Sequence, residues 1–84
     1  MNLEKSVDKA KSLFEMKRFK EVIDTCNQIL KNNANSIPAL KLTAYSFLAI
    51  RKIIDARLYF NKVLSLKPDD YEVIKDLGNT YQAV

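Results

Sequence analysis

The sequence predicts an all-α fold, and three observations carry the prediction. Gly occurs once and Pro twice in 84 residues; a sheet with many turns needs more of both, whereas helices with short connections do not. Apolar residues recur at spacings of three and four, the stripe of a half-buried helix. The chain also aligns with itself when shifted by 34 residues, the mark of a tandem repeat.

The repeat rests on residue class more than on identity. Ala10 meets Ala44 and then Gly78; Leu13 meets Phe47 and then Tyr81. Phe19 meets Ile53, Val22 meets Ala56, Cys26 meets Phe60, and Ile29-Leu30 meets Val63-Leu64. Lys17-Arg18 meets Arg51-Lys52, Asn27 meets Asn61, and Ala34 meets Pro68. Apolar falls on apolar, small on small and basic on basic.

Each helix has its own signal. Ala10, Leu13 and Phe14 give the apolar stripe of the first, expected over 3–16. Phe19, Val22, Cys26, Ile29 and Leu30 give the second, over 19–32, and Asn32, Asn33 and Asn35 mark the turn after it. Ser36 is placed to cap the third, over 37–50, with Pro38 tolerated in a first turn whose amides have no partner within the helix. Its stripe is Leu40, Ala44, Phe47 and Leu48. Ile53, Ala56, Phe60, Val63 and Leu64 make the fourth, over 53–66, which Pro68 stops. Asp69 is the expected cap of the fifth, over 70–83, with Glu72 as its capping-box partner.

Composition narrows the function. The sequence has no His, the commonest general base and zinc ligand. With a single Gly it has no glycine-rich phosphate loop. Cys26, at a core spacing, reads as an inert packed thiol. Asp69, Asp70 and Glu72 read as acids at a helix N-terminus, where the dipole favours them, rather than as a cation site. The expectation is a protein that is not an enzyme, with no cofactor and no metal. No apolar run reaches signal-peptide or membrane-span length, and one cysteine suits a reducing compartment, so a cytoplasmic location is expected.

These residues resemble the tetratricopeptide repeat, a 34-residue antiparallel helix pair. Ala44, Phe47, Ala56, Phe60 and Pro68 stand where that family has its small, aromatic, small, aromatic and proline signature. Leu77-Gly78-Asn79-Thr80-Tyr81 matches the family's Leu-Gly-x-x-Tyr opening. The first unit departs from the pattern, with Val22, Cys26 and Ala34 in place of Ala, an aromatic and Pro. The resemblance implies a right-handed α-solenoid of five helices: one domain over 1–84, with units 3–34 and 37–68 and a half unit 70–84.

The resemblance also implies a function: binding of a partner protein or peptide on a concave face lined by the first helix of each unit. Here that face comprises Lys11, Phe14, Lys41, Tyr45, Leu48, Lys75, Asn79 and Gln82. Its cations and apolar groups suit an extended or helical peptide with acidic character. Chaperone-binding members of the family clamp a C-terminal carboxylate with Lys, Asn and Arg; the matching places here are Val7, Lys11, Leu42, Glu72 and Asp76. Only Lys11 has the right charge, so no chaperone-tail carboxylate clamp is expected.

Two alternatives stand beside the groove. Ser6 and Lys9 stand where later helices carry Leu40, Thr43, Ile74 and Leu77, so the stack is expected to start near residue 1. The other end carries Val73, Ile74, Leu77, Tyr81 and Val84, apolar enough for self-association into a homo-oligomer or for a place within a longer array. Lys17, Arg18, Lys20, Arg51 and Lys52 gather at turns as a basic edge for an anionic partner. Cations at helix C-termini explain that edge better, since no aromatic is interleaved for base stacking, which disfavours nucleic acid.

Overall fold

The computed structural model describes residues 3–82. Five helices follow in order, α1 (Leu3–Glu15), α2 (Phe19–Asn32), α3 (Ile37–Ala49), α4 (Ile53–Leu66) and α5 (Tyr71–Gln82), and there is no strand among the described residues. Each helix packs on the next, and α1 also reaches α3. The result is an all-α helical solenoid. None of the described helices is long and apolar enough to cross a membrane.

The helix ends follow local chemistry. Ser36 caps α3: its hydroxyl accepts from the Ala39 amide at 3.4 Å, with Pro38 in the first turn. Asp70, not Asp69, caps α5, its carboxylate accepting from the Val73 amide at 3.2 Å. That one-residue shift takes Glu72 out of the capping-box position. The turns inside the two helix pairs are copies of each other. The Arg18 amide bonds the Leu13 carbonyl at 3.0 Å and the Lys17 amide bonds that of Phe14 at 2.9 Å. The Lys52 amide bonds Phe47 at 2.8 Å and the Arg51 amide bonds Leu48 at 3.1 Å. These are Schellman closures. They put Lys17 (φ 61°) and Arg51 (φ 68°) in the left-handed region, where a Cβ is strained.

Two clusters form the core. Ala10, Leu13, Val22, Cys26, Ile29 and Ala39 make one. Leu40, Ala44, Ala56, Phe60, Val63 and Val73 make the other, and Leu30 packs against both. Ala10, Ala44 and Ala56 are fully buried, as close helix approach requires. Burial raises the Cys26 thiol pKa, opposed by a hydrogen bond with Thr43.

Candidate peptide-binding face

The first helix of each pair and α5 supply the expected concave-face residues, and these sort into three kinds. Phe14 and Leu48 are half-buried and serve the core: Phe14 stacks edge-on to Phe19 at 5.3 Å, and Leu48 packs on the second cluster. Lys11, Lys75, Asn79 and Gln82 are exposed. Lys41 and Tyr45 lie between α3 and α5, each tied to acids of α5.

That tie was not read from the sequence. Lys41 Nζ bonds Asp70 Oδ2 at 3.1 Å and lies 3.7 Å from Glu72 Oε1. The Tyr45 hydroxyl donates to Asp76, with Glu72 Oε1 3.4 Å away, while its ring stands edge-on to Phe60 at 5.0 Å. Burial, and then the Asp76 hydrogen bond, push the Tyr45 pKa well up, so the phenol stays protonated. Asp70 is 6% exposed. Burial alone would raise its pKa, but the Val73 amide and Lys41 outweigh it and hold the carboxyl below its ordinary value. The signal was present in the spacing: the pairs are 29 and 31 residues apart, close to one repeat.

The basic edge keeps its cations outward. Lys17, Arg18, Lys20, Arg51 and Lys52 are all exposed, and Arg18 is paired with Glu21. The expected open end changes membership. Val73 is fully buried and Leu77 half-buried, because both face α3 and α4; Val84 lies outside the described residues. Ile74 and Tyr81 are 42% and 57% exposed, with Ile54 (73%) and Leu58 (52%) exposed on α4. A groove unforeseen in the sequence runs between α2 and α4, lined by Asp24, Asn27, Lys31, Tyr59, Lys62 and Leu66 with their neighbours. Among the described residues no cluster of His, Cys, Asp and Glu could hold a metal ion.

No family model matches the chain. RNA polymerase II-associated protein 3 of Mus musculus is 29% identical over 77 residues, covering 92% of this chain. The chain spans 12% of that relative's length. Two solved structures are similar at 24% identity. The first TPR of Spaghetti (RPAP3) bound to HSP90 peptide SRMEEVD matches with a TM-score of 0.92 over 98% of this chain and 65% of that one. The first TPR domain of human RPAP3 matches with a TM-score of 0.88 over 93% of this chain and 61% of that one.

The first of these structures overturns one expectation. A domain of the same architecture is bound to a chaperone-tail peptide ending in Glu-Glu-Val-Asp, so the reading that this chain has no chaperone-tail carboxylate clamp does not stand. That reading treats Glu72 and Asp76 as bare charges facing a carboxylate. In the fold they are engaged by Lys41 and Tyr45, and Lys11 on α1 and Lys75 on α5 stand exposed.

Proposed function

Proceeding from a chain with the tetratricopeptide-repeat fold, we propose that it is a non-catalytic, cytoplasmic module that binds the acidic C-terminal tail of a partner protein. The tail lies along the concave face of α1, α3 and α5, and its chemistry is that of the chaperone peptide held by the similar domain. One observation carries the reading: Lys11, Lys41 and Lys75 put a cation of the expected concave-face set on each of these three helices. Tyr45 and Asn79 supply polar groups between them, and the backbone of an extended peptide matches such a ladder. Residues 1–84 act as one domain, with units 3–34 and 37–68 and a half unit 70–84.

Lys41 is central because it is already matched. A ligand carboxylate competes with Asp70 and Glu72 for its ammonium, so affinity is moderate and depends on salt. Calorimetric titration with the peptide SRMEEVD tests this. Binding at micromolar Kd is expected, weakened about tenfold by Lys11→Ala or Lys75→Ala, each worth roughly 1.4 kcal/mol. Amidating the peptide's terminal carboxylate should weaken it as well. Equal affinity for a neutral peptide of the same length would sink the proposal.

A further inference from the structure

Resting on that peptide-binding reading, we propose that Glu72 and Asp76 of α5 make the concave face select tails that carry a basic residue, arginine above all, about five positions before the acidic C-terminus.

The ground is how charge is distributed over the face. On α1, Lys11 is exposed and has no ion-pair partner among the described residues. On α3, Lys41 is the one cation, and Asp70, which is 6% exposed, claims it at 3.1 Å. On α5 the sign reverses. Glu72 and Asp76 stand one helical turn apart and converge on one hydroxyl: Tyr45 donates to Asp76, and Glu72 Oε1 lies 3.4 Å from the same oxygen. Lys41 is 3.7 Å from Glu72 but is already matched by Asp70, and neither Lys41 nor the exposed Lys75 makes an ion pair with Asp76. One ammonium is therefore all that lies within ion-pair range of three acids, Asp70, Glu72 and Asp76. Tyr45 does not supply the missing charge, because burial and the two acids keep its phenol protonated. The Glu72 side chain is 70% exposed, so a ligand can reach it.

The chemistry of the ligand follows. An acidic residue passing over α5 meets like charge that nothing offsets. A guanidinium is a planar fork of N–H donors that bridges carboxylates lying side by side, which an ammonium does less well. The face thus discriminates by repulsion as well as by attraction.

The spacing follows from the fold. Packed helices lie about 8–10 Å apart. α1 packs on α3, and Lys41 and Tyr45 bridge α3 to α5. From Lys11 to the acids of α5 is therefore roughly 16–20 Å, which an extended peptide covers in about five or six residues. A C-terminal carboxylate at Lys11 sets the residue about five positions upstream over Glu72 and Asp76.

Calorimetric titration of the intact chain tests this with two peptides: SRMEEVD, in which Arg precedes the terminal Asp by five positions, and SAMEEVD, which lacks only that side chain. The Ala peptide should bind about tenfold more weakly, or about 1.4 kcal/mol. The double variant Glu72→Gln, Asp76→Asn keeps an acceptor for the Tyr45 hydroxyl. With helical circular dichroism unchanged, it should bring the two peptides to within about twofold of each other, as a double-mutant cycle requires of groups in contact. Equal affinity of both peptides for the intact chain overturns the selectivity and leaves peptide binding standing. A tenfold ratio that survives in the double variant places the Arg contact elsewhere and overturns it as well. Binding of neither peptide overturns the peptide-binding reading and this one with it.

Discussion

Ser46 shows how a single side chain can oppose the fold that contains it. It is fully buried on α3, and its hydroxyl has no hydrogen-bond partner. Its neighbour Thr43 is equally buried but donates to the Ala39 carbonyl at 2.8 Å. Desolvating an unpaired hydroxyl costs about 1–3 kcal/mol. Ser46→Ala should therefore raise stability by about 1 kcal/mol in urea unfolding, whereas Thr43→Val should give no such gain. Asp70 is the opposite case, a buried charge with good partners. Asp70→Ala removes the α5 cap and leaves Lys41 with only the exposed Glu72, a loss of about 2 kcal/mol. Its depressed pKa fixes the sign of the pH effect. The stabilisation is complete above the unfolded carboxyl value of about 3.9 and is lost as pH falls through the lower folded value. Asp70→Asn should flatten the melting temperature against pH in that acid window. The sequence flagged these acids as helix-terminal, and that was correct. Which of them was the cap, and that Lys41 reached it, depended on how α3 lies against α5, which no local pattern encodes.

At the level of elements, the two internal turns carry the clearest local strain. Lys17 and Arg51 occupy the same left-handed position in two copies of one closure. Arg51→Gly should stabilise the chain by about 1 kcal/mol, since glycine adopts this conformation without a Cβ penalty. Thermal unfolding checks it; a fall in melting temperature would mean that the Arg51 side chain contributes more than its backbone costs. Helix positions were legible because apolar stripe and turn residues agreed: Ser36 with Pro38, the asparagines after α2, and Pro68 after α4, while the α5 cap fell one residue later than read. What each helix face does was less legible. Val73 and Ile74 are adjacent and equally apolar, yet one is buried and the other half open, because α5 turns successive residues by about 100°. Apolar identity alone could not separate a core contact from a free surface.

Across the whole molecule, the proposed peptide face draws on α1, α3 and α5. Tyr45 connects it to the core through Phe60, so Tyr45→Ala would confuse binding with folding. Tyr45→Phe keeps the ring and removes only the hydroxyl that holds Asp76. It should weaken peptide binding several-fold in calorimetry while the melting temperature falls by no more than a few degrees. The architecture was readable from the 34-residue period because each helix pair repeats the same demands on size and spacing. The groove between α2 and α4 was not, since it arises from the space left between two helices rather than from any residue pattern. Nor was the chemistry of the proposed peptide face, where Lys41, which looked available, proved to be shared with two acids.

The order in which the helices pack has a consequence in time. Each helix finds its main partner next along the chain, and Leu30 is the side chain that touches both core clusters. Little loop must be closed before a contact is rewarded, so folding should be complete in milliseconds or less. Coupling between the halves then rests on the seam where α2 packs along α3 and α1 reaches α3, with Leu30 against both clusters. Leu30→Ala should weaken that seam, so that amide exchange reports faster opening in α2 and α3 while urea unfolding stays a single transition.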